Sequence, residues 1–181
     1  MEAAPILETV TPEIPLTLPF AALAAFLAAV LETSVFSELA VAGATVDFVL
    51  VCAVVATIVL GVEDGLIIGF IGGLLVDMVV AGRPMGAATL AMLLTLGVAF
   101  LVARALGPSR RLVAVGLVLI LTAVFHGLFV VIMVVTADAP FSFDAATVLI
   151  TAVLNALLAV PVAALFGAIE HRFGPTERTE W

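Results

Sequence analysis

The chain alternates between long apolar runs and short polar breaks. The runs cover approximately residues 18–31, 48–60, 65–80, 87–106, 112–136 and 145–169. The first break is a linker framed by Glu32 and Glu38 that ends near Asp47. Gly61-Val62-Glu63-Asp64 and Gly82-Arg83-Pro84 form the next two. Gly107-Pro108-Ser109-Arg110-Arg111 is a loop by its breakers and charges, and Asp138-Ala139-Pro140 with Asp144 marks the last. A membrane-spanning helix takes about 20 residues, so six runs predict six spans and an all-α integral membrane bundle. The second and third runs are short, at 13 and 16 residues. They read either as one re-entrant hairpin or as two spans whose ends reach into flanking polar residues. Glu63 and Asp64 favour two spans: paired carboxylates are costly at the bilayer centre but suit an aqueous helix N-terminus.

Composition supports lipid as the solvent. Hydrophobic residues make up 65% of the 181 and charged residues 11%, with a mean hydropathy of +1.39. A soluble domain runs nearer 45–50% apolar and about 25% charged, and a single core of this size cannot hide the excess. Fourteen acids stand against six bases, all arginine, so the basic patch of a nucleic-acid or anionic-lipid binder is missing. The one cysteine, Cys52, lies in an apolar run and allows no internal disulfide.

Domain organisation and orientation follow. Residues 1–17 are acidic, carry three prolines and have no basic n-region, so they read as a short cytoplasmic tail, not a signal peptide. Residues 18–169 form one six-span domain, and 170–181 a second cytoplasmic tail. Five arginines, Arg104, Arg110, Arg111, Arg172 and Arg178, share the side of the termini, against Arg83 on the other. The positive-inside rule then places both termini in the cytoplasm.

The most informative stretch is Gly65 to Asp77. Gly65, Gly69, Gly73 and Asp77 recur every four residues and form one helical stripe about 18 Å long. Small residues at this spacing let a neighbouring backbone come close. The stripe is either a seam inside the bundle, ended by a carboxylate that pairs with Arg83 or with backbone amides, or a surface for a partner. Ala21, Ala25 and Ala29 offer a second smooth face, open to the same two readings. His126 lies close to the middle of the fifth run and Asn155 near the middle of the sixth, six residues before Pro161. They are expected to hydrogen-bond each other or nearby backbone, including carbonyls freed by the proline. The sharper alternative is a proton relay or substrate site.

Catalytic constellations are absent. There is no Gly-x-Ser-x-Gly, no His-Glu-x-x-His and no pair of mid-run acids, which intramembrane serine, zinc and aspartyl chemistry require. Two histidines and one cysteine in separate segments do not make a metal site. The expectation is therefore a protein that is not an enzyme and takes no cofactor. No carboxylate lies inside a run apart from Asp77 near the end of the third, which argues against ion-coupled transport.

The run Gly69-Phe70-Ile71-Gly72-Gly73-Leu74-Leu75-Val76-Asp77, followed by Gly82 and Pro84-Met85-Gly86, resembles the signature of the MreD family of bacterial rod-shape-determining membrane proteins. Leu31-Glu32 stands where that family tends to have Leu-Gln, Val46-Asp47 where it tends to have Pro-Asp, and Asn155 with Pro161 resembles its last span. The likeness is best over residues 30–106. It implies a non-catalytic scaffold of the cell-elongation machinery in the cytoplasmic membrane, binding MreC and working with the actin-like MreB filament and the elongation transpeptidase and glycosyltransferase. Gly65, Gly69, Gly73, Asp77, Gly82 and Gly86 become its packing or partner residues, and a homodimer is compatible with the same surfaces. It also implies a fold similar to the substrate-binding subunits of energy-coupling-factor vitamin transporters. Such a subunit is the alternative function, with Ala21, Ala25 and Ala29 as its docking face. A vitamin pocket should carry several polar or aromatic groups, and the runs hold no Tyr, Lys or Trp.

Overall fold

A computed structural model of the chain describes residues 17–40, 43–82, 84–106, 110–137, 140 and 143–173. Its helices are α1 (Thr17–Leu31), α2 (Phe48–Val59), α3 (Val62–Val79), α4 (Ala87–Leu106), α5 (Arg110–Ala137) and α6 (Ala145–Phe173). A single π-helical turn, Glu32–Phe36, prolongs α1. The six apolar runs thus become six helices. The turns between them follow the breakers. Gly61 adopts φ 140°, a conformation reserved for glycine, and its N–H closes on the Ala56 carbonyl at 2.9 Å. The chain reverses there, and Glu63 and Asp64 fall in the first turn of α3, where the helix dipole favours acids.

Among the described residues, four helices are long and apolar enough to cross a membrane: α1 with its π turn, α4, α5 and α6. The bundle is therefore a multi-helix membrane protein. The other two differ from a simple six-span picture. Helix α2 has 12 residues, or about 18 Å of rise, against a hydrocarbon core of about 30 Å. Helix α3 has 18 residues and carries Glu63, Asp64 and Asp77. At the other boundary, α6 continues through Glu170, His171 and Arg172 to Phe173. The membrane domain expected to close at residue 169 therefore ends in a helix that runs past it. The breakers Gly174 and Pro175 come only later.

Helix α2 is the centre of the molecule. Eleven of its twelve residues are buried, and it touches each of the other five helices. Around it, small residues turn inward and large ones outward. On α1, Ala21, Ala25, Ala28 and Ala29 are buried, while Phe20, Leu23, Phe26 and Leu27 are exposed to the surroundings. Lipid is as apolar as a leucine side chain, so association here rests on close packing and hydrogen bonds rather than on escape from water. A run of valines and alanines on α2, met by glycines and alanines on its neighbours, provides that closeness.

Candidate functional site

The glycine stripe faces the inside of the bundle. Gly65, Gly69, Gly72 and Gly73 are all buried. A methyl group at Gly65 would collide with Thr57, whose own Cα and N stand only 2.7 Å from that position. At Gly72 it would meet the Val49 side chain, at Gly69 the Leu96 side chain, and at Gly73 the Thr89 Cα at 3.0 Å. The stripe is therefore two seams: Gly65 and Gly72 against α2, and Gly69 and Gly73 against α4. Gly82 and Gly86 lie in the α3–α4 turn, with φ of 87° and 91°, and a methyl group added at either would meet nothing within 4 Å among the described residues. They serve the turn and not the seam.

Asp77 closes the stripe by capping the next helix. Its Oδ1 accepts the Ala88 N–H at 3.1 Å, and its Oδ2 accepts the Thr89 N–H at 2.9 Å and the Thr89 hydroxyl at 2.8 Å. These are first-turn amides of α4, which have no partner within their own helix. A carboxylate there also meets the positive end of the dipole. The backbone half of the sequence expectation describes this contact; Arg83 lies outside the described residues.

His126 and Asn155 do not bond each other directly. Both converge on Asp47, the residue that precedes α2. His126 Nε2 lies 3.0 Å from Asp47 Oδ2, and Asn155 Nδ2 donates to the same oxygen at 3.1 Å. Asn155 Oδ1 accepts the Asp47 N–H at 3.0 Å, and Nδ2 also donates to Thr122 Oγ1 at 3.2 Å. The Thr122 hydroxyl in turn donates to the Val118 carbonyl at 2.8 Å. This pattern fixes the amide: its oxygen must face the Asp47 N–H and its NH₂ the two oxygens. Asn155 is fully buried, so each bond removes a cost that lipid and packed protein would otherwise impose. The carbonyl freed by Pro161 plays no part in this network.

Asp47 was the residue the sequence hid. It stands at the end of a linker, outside every apolar run, and nothing in its spacing ties it to His126, 79 residues away. Its signals were the resemblance at Val46-Asp47 and its position immediately before a valine-rich run, where an acid suits a helix N-terminus. Glu32 was hidden for the same reason. Its Oε2 accepts the Val49 N–H at 2.7 Å, so the end of α1 supplies the cap for α2. Outside the bundle, Asp144 caps α6, accepting from the Thr147 hydroxyl at 2.5 Å and the Ala146 N–H at 3.0 Å. Those two bonds, the hydroxyl first, hold its carboxyl below the usual carboxylate range.

Two cavities flank these elements. One is an apolar groove of about 360 Å³ lined by Leu18, Leu66, Ile67, Phe70, Ile71 and Leu93. The other is a half-open cleft of about 280 Å³ where α1 ends, α2 begins and α3 ends, bordered by Glu32, Asp47, Val76, Val79 and Val80 among others. Among the described residues, no three acid, histidine or cysteine side chains are placed to hold a metal ion. The alanine face of α1 is spent inside the bundle, with Ala25 fully buried. It is not available as a docking face for a second protein, which corrects the role that a vitamin-transporter subunit would give it. In comparisons with known proteins, no family model, curated protein or solved structure matches the chain.

Proposed function

We propose that the chain is a non-catalytic membrane scaffold of the MreD type, which holds a partner's transmembrane helix and the segment beside it so that wall-synthesis enzymes stay in register. The observation that carries this reading is the solid interior. A central helix is buried almost throughout, a glycine seam closes α3 onto it, and the interior polar groups Asp77, Thr122 and Asn155 are engaged with the chain itself. Such a bundle is suited to presenting surfaces rather than passing a solute. The glycine stripe is used up within the fold, so the grip lies on its outside, around the end that carries Asp77, Gly82 and Gly86.

In this reading the membrane is the bacterial cytoplasmic membrane and both termini are cytoplasmic. All six helices cross, α3 reaching the interfaces through its polar flanks and the short α2 completing its span with the linker before it. MreC is the direct partner, with MreB, the elongation transpeptidase and the glycosyltransferase behind it. The test is affinity purification of the full chain from solubilised membranes, with mass spectrometry of what accompanies it. Enrichment of a single-span elongation protein is expected. Recovery of the chain without any elongation protein would sink the reading, and nanomolar binding of a vitamin would replace it with the transporter-subunit alternative.

A further inference from the structure

The Asp47 network includes one ring whose charge changes near neutral pH, that of His126, and the scaffold reading makes no use of it. Its Nε2 lies 3.0 Å from Asp47 Oδ2. Facing a carboxylate, Nε2 must carry the proton and donate it. Among the described residues, Nδ1 has no hydrogen-bond partner. The ring is 27% exposed and the Asp47 side chain 18%. Asp47 also borders the cleft whose polar wall holds Thr33, Ser37 and Thr45. A cleft of this size with polar walls admits water, so the network exchanges protons with the medium at the end of the bundle opposite Thr17 and Phe173. Asp47 matters to the fold beyond its side chain. Its carbonyl accepts the Val51 N–H at 3.1 Å, the first bond of α2, so whatever grips Asp47 grips the start of that helix.

We infer that His126 and Asp47 form an acid-tightened clasp: with the ring charged they hold the start of α2 firmly, and loss of the ring proton loosens the hold without changing which atoms are bonded. Nε2–H donates to Oδ2 in both states, and the proton that comes and goes is the one on Nδ1, taken from water and returned to it. A charged ring compensates the carboxylate and makes the bond charge-assisted from both sides. A neutral ring leaves the carboxylate uncompensated in a partly buried site, where charge is dear. The surroundings hold no other cation to take its place. On α5 the other charges are Arg110 and Arg111 in its first turn, about 24 Å along the helix. Helix α4 offers Arg104, and α6 offers Glu170, His171 and Arg172, all in last turns at the far end of the bundle. Asp144 precedes α6, about 16 Å along it from Asn155. Helix α2 offers the buried Cys52 thiol, and Asp77 is bound to the first turn of α4. The near neighbour is Glu32, whose Oε2 lies on the Val49 N–H. It adds negative charge to the same helix start and so favours a positive ring.

The test is the melting temperature of the full chain in detergent, followed by circular dichroism at about pH 5 and about pH 8, the range in which an ordinary histidine changes charge. The wild type should melt about 3 °C higher at the acid end, the shift expected when a charge-assisted bond replaces a weaker one in a chain of this size. His126→Gln keeps an N–H at similar reach but has no charge to gain, and His171→Gln removes the other histidine. The first should erase the difference and the second should preserve it. A difference that survives His126→Gln, one of opposite sign, or none in the wild type would overturn the inference. NMR of the ring nitrogens reads the same step without disturbing the network, with His171→Gln to assign the signals. Across this range Nδ1 of His126 should pass from bare to protonated while Nε2 keeps its proton. An Nδ1 that never changes, or an Nε2 that gives up its proton, overturns the clasp even where His126→Gln does not fold. Neither measurement involves a partner, so the clasp and the scaffold reading stand or fall separately.

Discussion

Replacing Asn155 with leucine should destabilise the bundle severely, because leucine keeps its branched skeleton, with two bulkier methyl groups, but makes none of its bonds. The change deletes the Asp47 N–H contact at 3.0 Å, the Asp47 carboxylate contact at 3.1 Å and the Thr122 contact at 3.2 Å. Side-chain hydrogen bonds in membrane bundles average about 0.6 kcal/mol each, so the three bonds come to roughly 2 kcal/mol. The Asp47 amide and carboxylate are then left short of partners in a place water reaches poorly, at a further cost of about 1–3 kcal/mol. A total of about 3–5 kcal/mol corresponds to a melting shift on the order of 10 °C for a chain of this size. The chain supplies its own reporter. Cys52 is its one thiol and is 6% exposed in the middle of α2, so a thiol-reactive fluorophore lights up only as α2 comes free of the bundle. Thr122→Val, which loses one of the three bonds, should shift the melt by only about 3 °C. A fall of less than about 2 °C for Asn155→Leu would refute the claim that this network holds the start of α2.

The same thiol melt separates the glycines. Gly65→Ala drives a methyl into the Thr57 main chain, which cannot rotate away, and should cost about 3 kcal/mol or more; Gly97→Ala and Gly116→Ala meet nothing within 4 Å and should be neutral or stabilising by up to about 1 kcal/mol. Equal effects at Gly65 and Gly97 would discredit the seam. Asp77→Ala should cost about 2–4 kcal/mol by uncapping α4 and should speed hydrogen exchange at Ala88 and Thr89, whereas unchanged exchange there would contradict the cap. The depressed Asp144 carboxyl means its folded value lies below its unfolded one, so its stabilising effect is complete above the ordinary carboxylate value and disappears as pH falls through the lower, folded value. Exchange at Ala146 should accordingly accelerate over that acid range in the wild type relative to neighbouring amides, and Asp144→Ala should abolish the acid-dependent part.

Helix positions were readable because lipid demands continuous apolar runs. The fourth run, 87–106, coincides with α4, and the others differ by a few residues at their ends. The glycine spacing announced a close approach, yet it could not say to what. Four-residue spacing fixes a face, and the direction of that face depends on partners elsewhere in the chain. The same holds for the alanines of α1. His126 and Asn155 were conspicuous because a polar group in an apolar run must find a partner. Their partner was not conspicuous, because Asp47 and Glu32 sit in a linker, where acids are ordinary. The feature that makes them matter is the shortness of α2, which brings its N-terminus inside the bundle.

That shortness can be followed along the neighbouring helices. From His126 to the end of α5 at Ala137 is eleven residues, and from the start of α6 at Ala145 to Asn155 is ten. At 1.5 Å per residue, both helices place the Asp47 network about 15 Å inward from their own ends. Helices of 28 and 29 residues are about 43 Å long and overreach a 30 Å hydrocarbon core by about 6 Å at each end if centred in it. The network then lies nearly 10 Å below the hydrocarbon boundary, and the linker before α2 descends to it. An acid at that depth removes one premise of the sequence argument against ion coupling, namely that no carboxylate lay deep within the membrane beyond Asp77. What weighs on the other side is its bonding. One carboxylate oxygen is committed to both His126 and Asn155, and the backbone N–H of the same residue is committed to Asn155. A site that loads and unloads an ion must exchange its ligands. A residue gripped through both its main chain and its side chain is built to stay, and what it fixes in place is the first turn of the helix on which the whole bundle packs.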